Sequence, residues 1–113
     1  MQHTDLDKGR WSKFSLVEQM ANIGSEIERA IKWKQKGNPE YANLANARAL
    51  ELFDLTLDVH TDYPTLKEIA RARELWLDFF LGENQYKQTV EQWQNYFNAF
   101  TWATSLHRQG KTL

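Results

Sequence analysis

Residues 15–40 read SLVEQMANIGSEIERAIKWKQKGNPE, and the spacing of their apolar side chains is that of a helix. Ser15 and Glu18 match the capping box that begins a helix, in which each side chain accepts a hydrogen bond from the other residue's backbone N–H. An apolar stripe follows at intervals of three and four, made of Leu16, Met20, Ile23, Ile27 and Ile31. Gly24 lies beside this stripe, where it is expected to allow close approach of a neighbouring helix. The stretch predicts a helix over 15–36.

The end of that stretch joins two predicted helices through a short turn. Gly37 is typical of the position just after a helix, where backbone with positive φ favours glycine. Asn38 and Pro39 are typical of the next helix start, because Asn accepts from free backbone N–H groups and Pro has no N–H to satisfy. From Glu40 onward no residue breaks the pattern, so a second helix is predicted over 39–59.

Two further helices are predicted, over 63–81 and 89–108. They are joined by the stretches VHTDYP and GENQYKQ, which are short. Connections of this length favour antiparallel neighbours, so the predicted fold class is all-α, an antiparallel up-down-up-down four-helix bundle. Residues 15–108 form its single domain, with a polar N-terminal arm over 1–14 and a C-terminal tail over 109–113.

The composition favours a small cytoplasmic protein that binds neither nucleic acid nor membranes. The 113 residues suit one domain, and 42% of them are hydrophobic, which allows a packed core. Fourteen basic and fifteen acidic side chains give a net charge of −1, whereas nucleic-acid binding needs a basic face. There is no cysteine for a disulfide or a zinc site. No apolar run approaches the ~18 residues of a membrane span, and the polar N-terminus MQHTDLDKGRW is unlike a signal peptide.

A charged residue interrupts the apolar stripe predicted for the third helix. Arg73 lies between Ile69 and Leu77, on the face that also holds Leu66 and Phe80. A buried guanidinium needs a carboxylate partner, because an unpaired buried charge costs several kcal/mol. The sequence therefore predicts an ion-pair network between helices, with Arg73 at its centre.

The second helix supplies the expected partners of Arg73. Its charged stripe shares an angular sector with apolar residues, which predicts that the stripe is partly covered; the charged members are Arg48, Glu51, Asp54 and Asp58. Glu51 and Asp54 are the first candidates to pair with Arg73, and Glu26 of the first helix is the next. Three interpretations stay open: a structural network that fixes helix register, a ligand or catalytic site, or an Arg73 that reaches solvent.

The carboxylates also permit the alternative of a metal-dependent hydrolase of a nucleotide or similar phosphate compound. The segment ELFD places Glu51 and Asp54 three residues apart, as a helix-borne magnesium pair requires, and Glu26 is the possible third ligand. A matching pair on the first helix is missing, because Ser25 stands three residues before Glu28. No histidine follows a glutamate by three residues, as di-iron bundles require. No metal, cofactor or catalytic residue is therefore assigned, and a non-enzymatic role is favoured.

Apolar residues on a second face of the last two helices indicate a surface that needs a cover. Phe79 lies off the main stripe of the third helix, and Trp102 and Leu106 lie off that of the fourth. A homodimer is the simplest cover, with these three residues as the candidate interface. The alternative is that Trp11 and Phe14 fold over them. The favoured function is self-association or the binding of a protein partner.

Three segments resemble a family of short prokaryotic proteins that are predicted to be helical and are described as uncharacterised. The segments are ANIGSEIERA, RALELFDLT and RARELWLDFFLGENQY, and the resemblance runs from about Trp11 to Ala103. It implies a free-standing helical domain with no assigned activity. Seven of the charged residues within these segments are the candidate binding cluster: Glu26, Arg48, Glu51, Asp54, Arg73, Glu74 and Asp78.

Overall fold

The computed structural model describes residues 5–108, and the side chains of residues 8–106. This part of the chain is all-α, as predicted, and contains no strand. Its helices are α1 (Asp5–Trp11), α2 (Leu16–Gln35), α3 (Pro39–Val59), α4 (Tyr63–Phe80) and α5 (Val90–Arg108). Among the described residues, no helix combines the length and the apolar character that crossing a membrane requires. The predicted tail over 109–113 lies outside the described residues.

The predicted start of α2 is confirmed. The backbone N–H of Glu18 donates to Ser15 Oγ at 3.1 Å, and the N–H of Ser15 donates to Glu18 Oε1 at 2.9 Å. At the turn to α3, Gly37 has a φ of +77°, which glycine adopts without strain. Asn38 then caps α3 by accepting from the N–H of Tyr41 at 3.1 Å. These local contacts satisfy backbone groups that a helix end leaves free.

The two later helices also begin at side-chain caps. Asp62 caps α4 by accepting from the N–H of Thr65 at 3.1 Å, and the Thr65 hydroxyl, which also donates to Asp62, lowers the pKa of that carboxyl. Before α5, the N–H of Gln92 donates to Thr89 Oγ1 at 3.1 Å, and the N–H of Thr89 donates to Gln92 Oε1 at 2.8 Å. These two bonds form a second capping box, at the start of α5.

Trp76 of α4 lies at the centre of the core. Its side chain is fully buried, and its ring lies 5.0 Å from that of Phe80 and 5.5 Å from that of Trp93, measured between centroids. Its indole Nε1–H donates to Asn46 Oδ1 at 2.7 Å, which gives this buried donor an acceptor. The other large apolar side chains that are fully buried come from α2, α3 and α4: Phe53, Met20, Ile23, Ile27 and Ile69.

The buried face of α4 differs from the predicted one. Ile69, Ala72, Trp76 and Phe80 are its buried residues, so Trp76 occupies the central position that the prediction gave to Arg73. That part of the prediction is wrong: the Arg73 side chain is 31% exposed. The physical reason is that burying the indole of Trp76 removes more apolar surface from water than burying a leucine of the predicted face would.

Helices α2 and α5 pack very closely where Gly24 faces Phe97. A Cβ added at Gly24 would lie 2.7 Å from Phe97 Cβ and 2.9 Å from Phe97 Cγ. Real Cβ atoms do not approach other carbons this closely, so the separation of the helices depends on the missing side chain. The expected role of Gly24 is therefore confirmed.

The segment predicted as a polar arm contains a helix that belongs to the domain. Trp11 at the end of α1 is buried, and its Nε1–H donates to Thr56 Oγ1 of α3 at 2.9 Å. Buried Gln19 donates from Nε2 to the carbonyl of Trp11 at 2.9 Å and to that of Phe14 at 3.2 Å. Trp11 therefore packs against α3, so the alternative that Trp11 and Phe14 fold over Phe79, Trp102 and Leu106 is wrong for Trp11.

Candidate functional site

Members of the predicted cluster form ion pairs between α2 and α3 and between α3 and α4. Glu26, with a side chain only 10% exposed, pairs through Oε2 with Arg48 Nε at 3.4 Å and with Arg29 Nη1 at 3.1 Å. The ion pair between Glu26 and Arg48 links α2 to α3. The two arginines satisfy the nearly buried carboxylate, which is what burial of a charge requires.

Arg73 pairs with Asp54, as one of the sequence interpretations expected. Arg73 Nε donates to Asp54 Oδ1 at 3.0 Å, and the Asp54 side chain is 52% exposed. Glu74 is exposed and borders the same shallow cavity of about 450 Å³. A pair this open to water contributes about 0–1 kcal/mol to stability, so it joins α3 to α4 without forming an enclosed site.

Asp78 shapes the connection between α4 and α5. Its Oδ1 accepts from the N–H of Gln85 at 3.0 Å, and its Oδ2 accepts from the N–H of Tyr86 at 3.2 Å. The backbone N–H of Asn84, a residue with a φ of +54°, donates to the Asp78 carbonyl at 3.1 Å. The carboxylate thus holds the loop, and it lies apart from the Arg73 pair.

The carboxylates considered as metal ligands do not form a metal site in the described part of the chain. Glu26 and Asp54 each pair with arginine, and Glu51 is half-buried on α3. Within residues 5–108, no group of three or more His, Cys, Asp or Glu side chains is arranged to hold a metal ion. The alternative of a metal-dependent hydrolase therefore has no ligand set in this region.

The three candidate interface residues occupy different environments. Phe79 is half-buried and packs against the core, with its ring 5.8 Å from that of Trp76 and 6.3 Å from that of Trp93. Trp102 on α5 is 65% exposed, and Leu106 is half-buried. Of these residues, Trp102 is the one that presents a large apolar side chain to solvent.

A groove between α4 and α5 contains two cavities, and we call it the α4–α5 groove. The first cavity measures about 350 Å³ and is bordered by Glu68, Arg71, Ala72, Leu75, Gln88, Gln92, Trp93 and Tyr96. The second measures about 360 Å³ and is bordered by Leu16, Met20, Pro64, Thr65, Glu68, Ile69 and Phe100. Glu68 borders both cavities, so they adjoin at this residue, and Leu16 and Met20 of α2 complete the border of the second. Their sizes lie in the range of small-ligand sites.

Polar groups converge on the first cavity. The Tyr96 hydroxyl donates to Glu68 Oε2 at 2.7 Å, across the groove. Burial, and then this bond to a carboxylate, raise the pKa of Tyr96 well above its usual range, so the hydroxyl stays protonated and donates. Arg71 is exposed and makes no ion pair or hydrogen bond with another described residue. The groove thus combines apolar walls with a fixed donor and an unengaged cation.

Trp93 borders this cavity and carries an unsatisfied donor. The residue is 4% exposed, and its indole N–H is buried without an acceptor among the described residues. A buried donor that lacks an acceptor costs about 1–3 kcal/mol, and such groups are rare in native proteins. Perturbed and unsatisfied polar groups beside an apolar cavity are a recognised mark of a binding site.

A larger depression of about 510 Å³ lies between α2 and α5 on the other side of Trp93. Ser25, Glu28, Gln94, Asn98 and Thr101 provide most of its border, and Gln94 Nε2 donates to Glu28 Oε1 at 3.3 Å. It borders the closely packed contact at Gly24 and offers a mainly polar surface that water can solvate. Each cavity of the α4–α5 groove is smaller than this depression, but the groove is the better candidate site because each of its cavities has more apolar surface to exclude water.

The residues of the groove were not found from the sequence as site residues. Trp93 and Tyr96 have the spacing of core residues, and Glu68 and Arg71 have the appearance of ordinary surface charges. The signal that could have singled them out is spatial, since it depends on the separation of α4 and α5. No periodicity within a single helix encodes that separation.

Comparisons with known proteins give no functional guide for this fold or groove. The chain matches no protein-family model, and neither a curated protein nor a solved structure is similar to it. The resemblance of its three segments to a family of short helical proteins therefore stays a prediction.

Proposed function

We propose that this chain is a non-enzymatic binding domain whose binding surface is the α4–α5 groove. Its ligand carries an apolar group, belonging either to a small molecule or to a side chain of a protein partner. The observation that carries the proposal is the groove itself: two adjoining cavities of about 350 and 360 Å³ beside the buried, unsatisfied indole N–H of Trp93. At Gly24, by contrast, α2 and α5 pack so closely that a single methyl group does not fit between them.

We also propose that the four long helices form the antiparallel up-down-up-down bundle. Two contacts support this arrangement. Near the start of α2, Gln19 Oε1 lies 2.6 Å from His60 Nε2 just after α3, as antiparallel helices require. Near the end of α2, Lys34 Nζ donates to the carbonyl of Phe80 at the end of α4, at 3.0 Å. In a bundle of this order, α4 and α5 are neighbours, and the groove is the gap between them.

The first prediction tests binding in the groove with a neutral probe. A panel of aromatic amides, phenylbutyramide included, is expected to raise the melting temperature of the wild type. A ligand specific for the native state adds about 2.7 kcal/mol of stability at a hundredfold excess over its Kd. Ala72→Met is expected to abolish the shift, because Ala72 borders the first cavity and a longer side chain would fill it. Differential scanning calorimetry measures both effects.

The control is the same substitution on the other side of the same helix. Ala70 is exposed and borders the shallow cavity near Arg73, away from the groove. Ala70→Met is expected to retain the full shift. A wild type that responds to no amide, or equal losses in the two variants, would contradict binding in the groove.

A second candidate function is self-association through the outer face of α5, favoured by the 65% exposure of Trp102. An exposed indole is a frequent anchor of interfaces, because it buries a large apolar area at a low entropy cost. Sedimentation velocity is expected to show a dimer that forms with rising concentration and is lost in Trp102→Ser. Tyr63→Ser, at another exposed aromatic residue, is expected to leave the dimer intact. A wild type that stays monomeric at every concentration would rule this candidate out.

A further inference from the structure

Arg71 differs from the other arginines whose contacts are described on α2, α3 and α4. Arg29 and Arg48 pair with Glu26, and Arg73 pairs with Asp54. Arg71, at the border of the first cavity, has no such partner in the part of the chain that the structure describes. A guanidinium without a carboxylate keeps all five of its N–H donors for an external group. Its planar fork suits a carboxylate or phosphate, which can accept two parallel hydrogen bonds.

The remaining polar groups at this cavity add donors. Trp93 borders the cavity and carries a buried indole N–H with no described acceptor. Gln88 borders the cavity just before α5, and Gln92 lies within the first turn of α5. At this end of a helix, the helix dipole favours a negative charge. These features favour a ligand that brings hydrogen-bond acceptors.

Glu68 is the one acidic side chain at the border of the first cavity, and it limits where a negative charge can lie. Its carboxylate accepts the Tyr96 hydroxyl at 2.7 Å, and this bond holds it towards α5. Because Glu68 also borders the second cavity, a ligand anion is repelled from the junction of the two cavities. The position that favours the anion is therefore beside Arg71.

The walls of the cavity specify the rest of the ligand. Ala72, Leu75 and the ring of Trp93 provide apolar surface within a volume of about 350 Å³. An aromatic or aliphatic body of a small molecule can occupy this space and remove that surface from water. A bare inorganic anion would leave the apolar walls in contact with water.

We propose that the first cavity of the α4–α5 groove binds a small organic carboxylate, with its anionic group on Arg71 and its apolar body against Leu75 and Trp93. This inference rests on the proposed function, since it assigns the chemical class of ligand to the same groove. It goes further by assigning recognition of the ligand's anionic group to one side chain, Arg71. The rest of the groove supplies the apolar contacts.

The test compares phenylbutyrate with its neutral amide, phenylbutyramide, by isothermal titration calorimetry. The carboxylate is expected to bind the wild type about tenfold more tightly than the amide, because charge-assisted hydrogen bonds are roughly twice as strong as neutral ones. Arg71→Gln is expected to weaken phenylbutyrate about tenfold and to leave the amide unchanged. Arg71 is exposed, so this variant is expected to keep the helical circular-dichroism spectrum of the wild type.

The matched control is Lys67→Gln, which removes the same charge from the same helix. Lys67 is exposed and lies one turn before Arg71, outside both cavities. It is expected to leave the affinity of both probes unchanged. Equal weakening of phenylbutyrate by the two variants would mean general charge attraction and would overturn the assignment of Arg71.

The remaining outcomes separate this inference from the proposed function. If both probes bind the wild type equally and Arg71→Gln changes neither affinity, the groove binds apolar groups and the carboxylate assignment is wrong. If neither probe binds the wild type, the proposed function fails together with it.

Discussion

Replacing Trp76 with alanine is expected to lower the free energy of unfolding by about 3–5 kcal/mol, the range measured for buried aromatic residues replaced by alanine. The indole is fully buried and contacts the rings of Phe80 and Trp93. Its removal leaves a cavity at the centre of the molecule, where three helices meet. It also leaves Asn46 Oδ1 without the donor that now lies 2.7 Å away.

The contribution of that hydrogen bond can be separated from packing. Trp76→Phe keeps an aromatic ring but removes the donor. The decrease in the free energy of unfolding should therefore include about 1–3 kcal/mol for the unsatisfied amide of Asn46. Adding Asn46→Leu to Trp76→Phe is expected to recover part of that loss, since both partners are then apolar. Urea denaturation of the two single variants and the double variant measures the coupling.

Trp102→Ala, measured at a concentration at which the chain is monomeric, is the control for the alanine substitution, because it removes the same side chain from a position that is 65% exposed. A change of less than about 0.5 kcal/mol is expected there, as for most surface substitutions. Similar decreases in the free energy of unfolding for Trp76→Ala and Trp102→Ala would contradict the assignment of Trp76 to the core.

Gly24→Ala is expected to destabilise the protein by about 1–3 kcal/mol, as overpacking of a core does. In an open helix this change would add about 1 kcal/mol of stability, since alanine is the better helix former. Here the new Cβ would lie 2.7 Å from Phe97 Cβ, an atom next to the backbone that no rotamer change can move away. Helices α2 and α5 must therefore move apart, and the contact between them loosens along its length.

Gly9→Ala provides the matched control, because Gly9 also lies in a helix and no atom comes within 4 Å of its added Cβ. This variant is expected to be neutral or slightly more stable than the wild type. Urea denaturation of both variants measures the difference. Stabilisation by Gly24→Ala would show that α2 and α5 are not in close contact.

The helix boundaries could be predicted from the sequence because they depend on neighbours along the chain. Ser15 with Glu18, and Thr89 with Gln92, form their caps within four residues, and the structure contains both. The short helix α1 was not predicted, since 7 residues carry too little periodicity. Its place depends on Trp11, whose acceptor on Thr56 lies 45 positions further along the chain.

The candidate site was harder to predict than the fold. The sequence indicated that Arg73 needs a carboxylate, and Asp54 provides it, but the solvent exposure of that pair depends on how α4 is rotated. Helix α4 is rotated so that Trp76, and not Arg73, lies at the centre of its buried face. The groove depends on the gap between α4 and α5, which results from packing of the whole molecule and has no counterpart in the spacing of either helix.

The most direct test of binding in the α4–α5 groove is the two-dimensional ¹H–¹⁵N NMR spectrum of the five indole N–H groups during titration with phenylbutyramide. Single Trp→Phe substitutions assign each resonance. We expect the Trp93 resonance to shift and saturate, because Trp93 borders the groove, while the resonances of Trp11, Trp33 and Trp102 stay in place. A Trp93 resonance unchanged under saturating probe, or a shift confined to Trp102, would contradict binding in the groove.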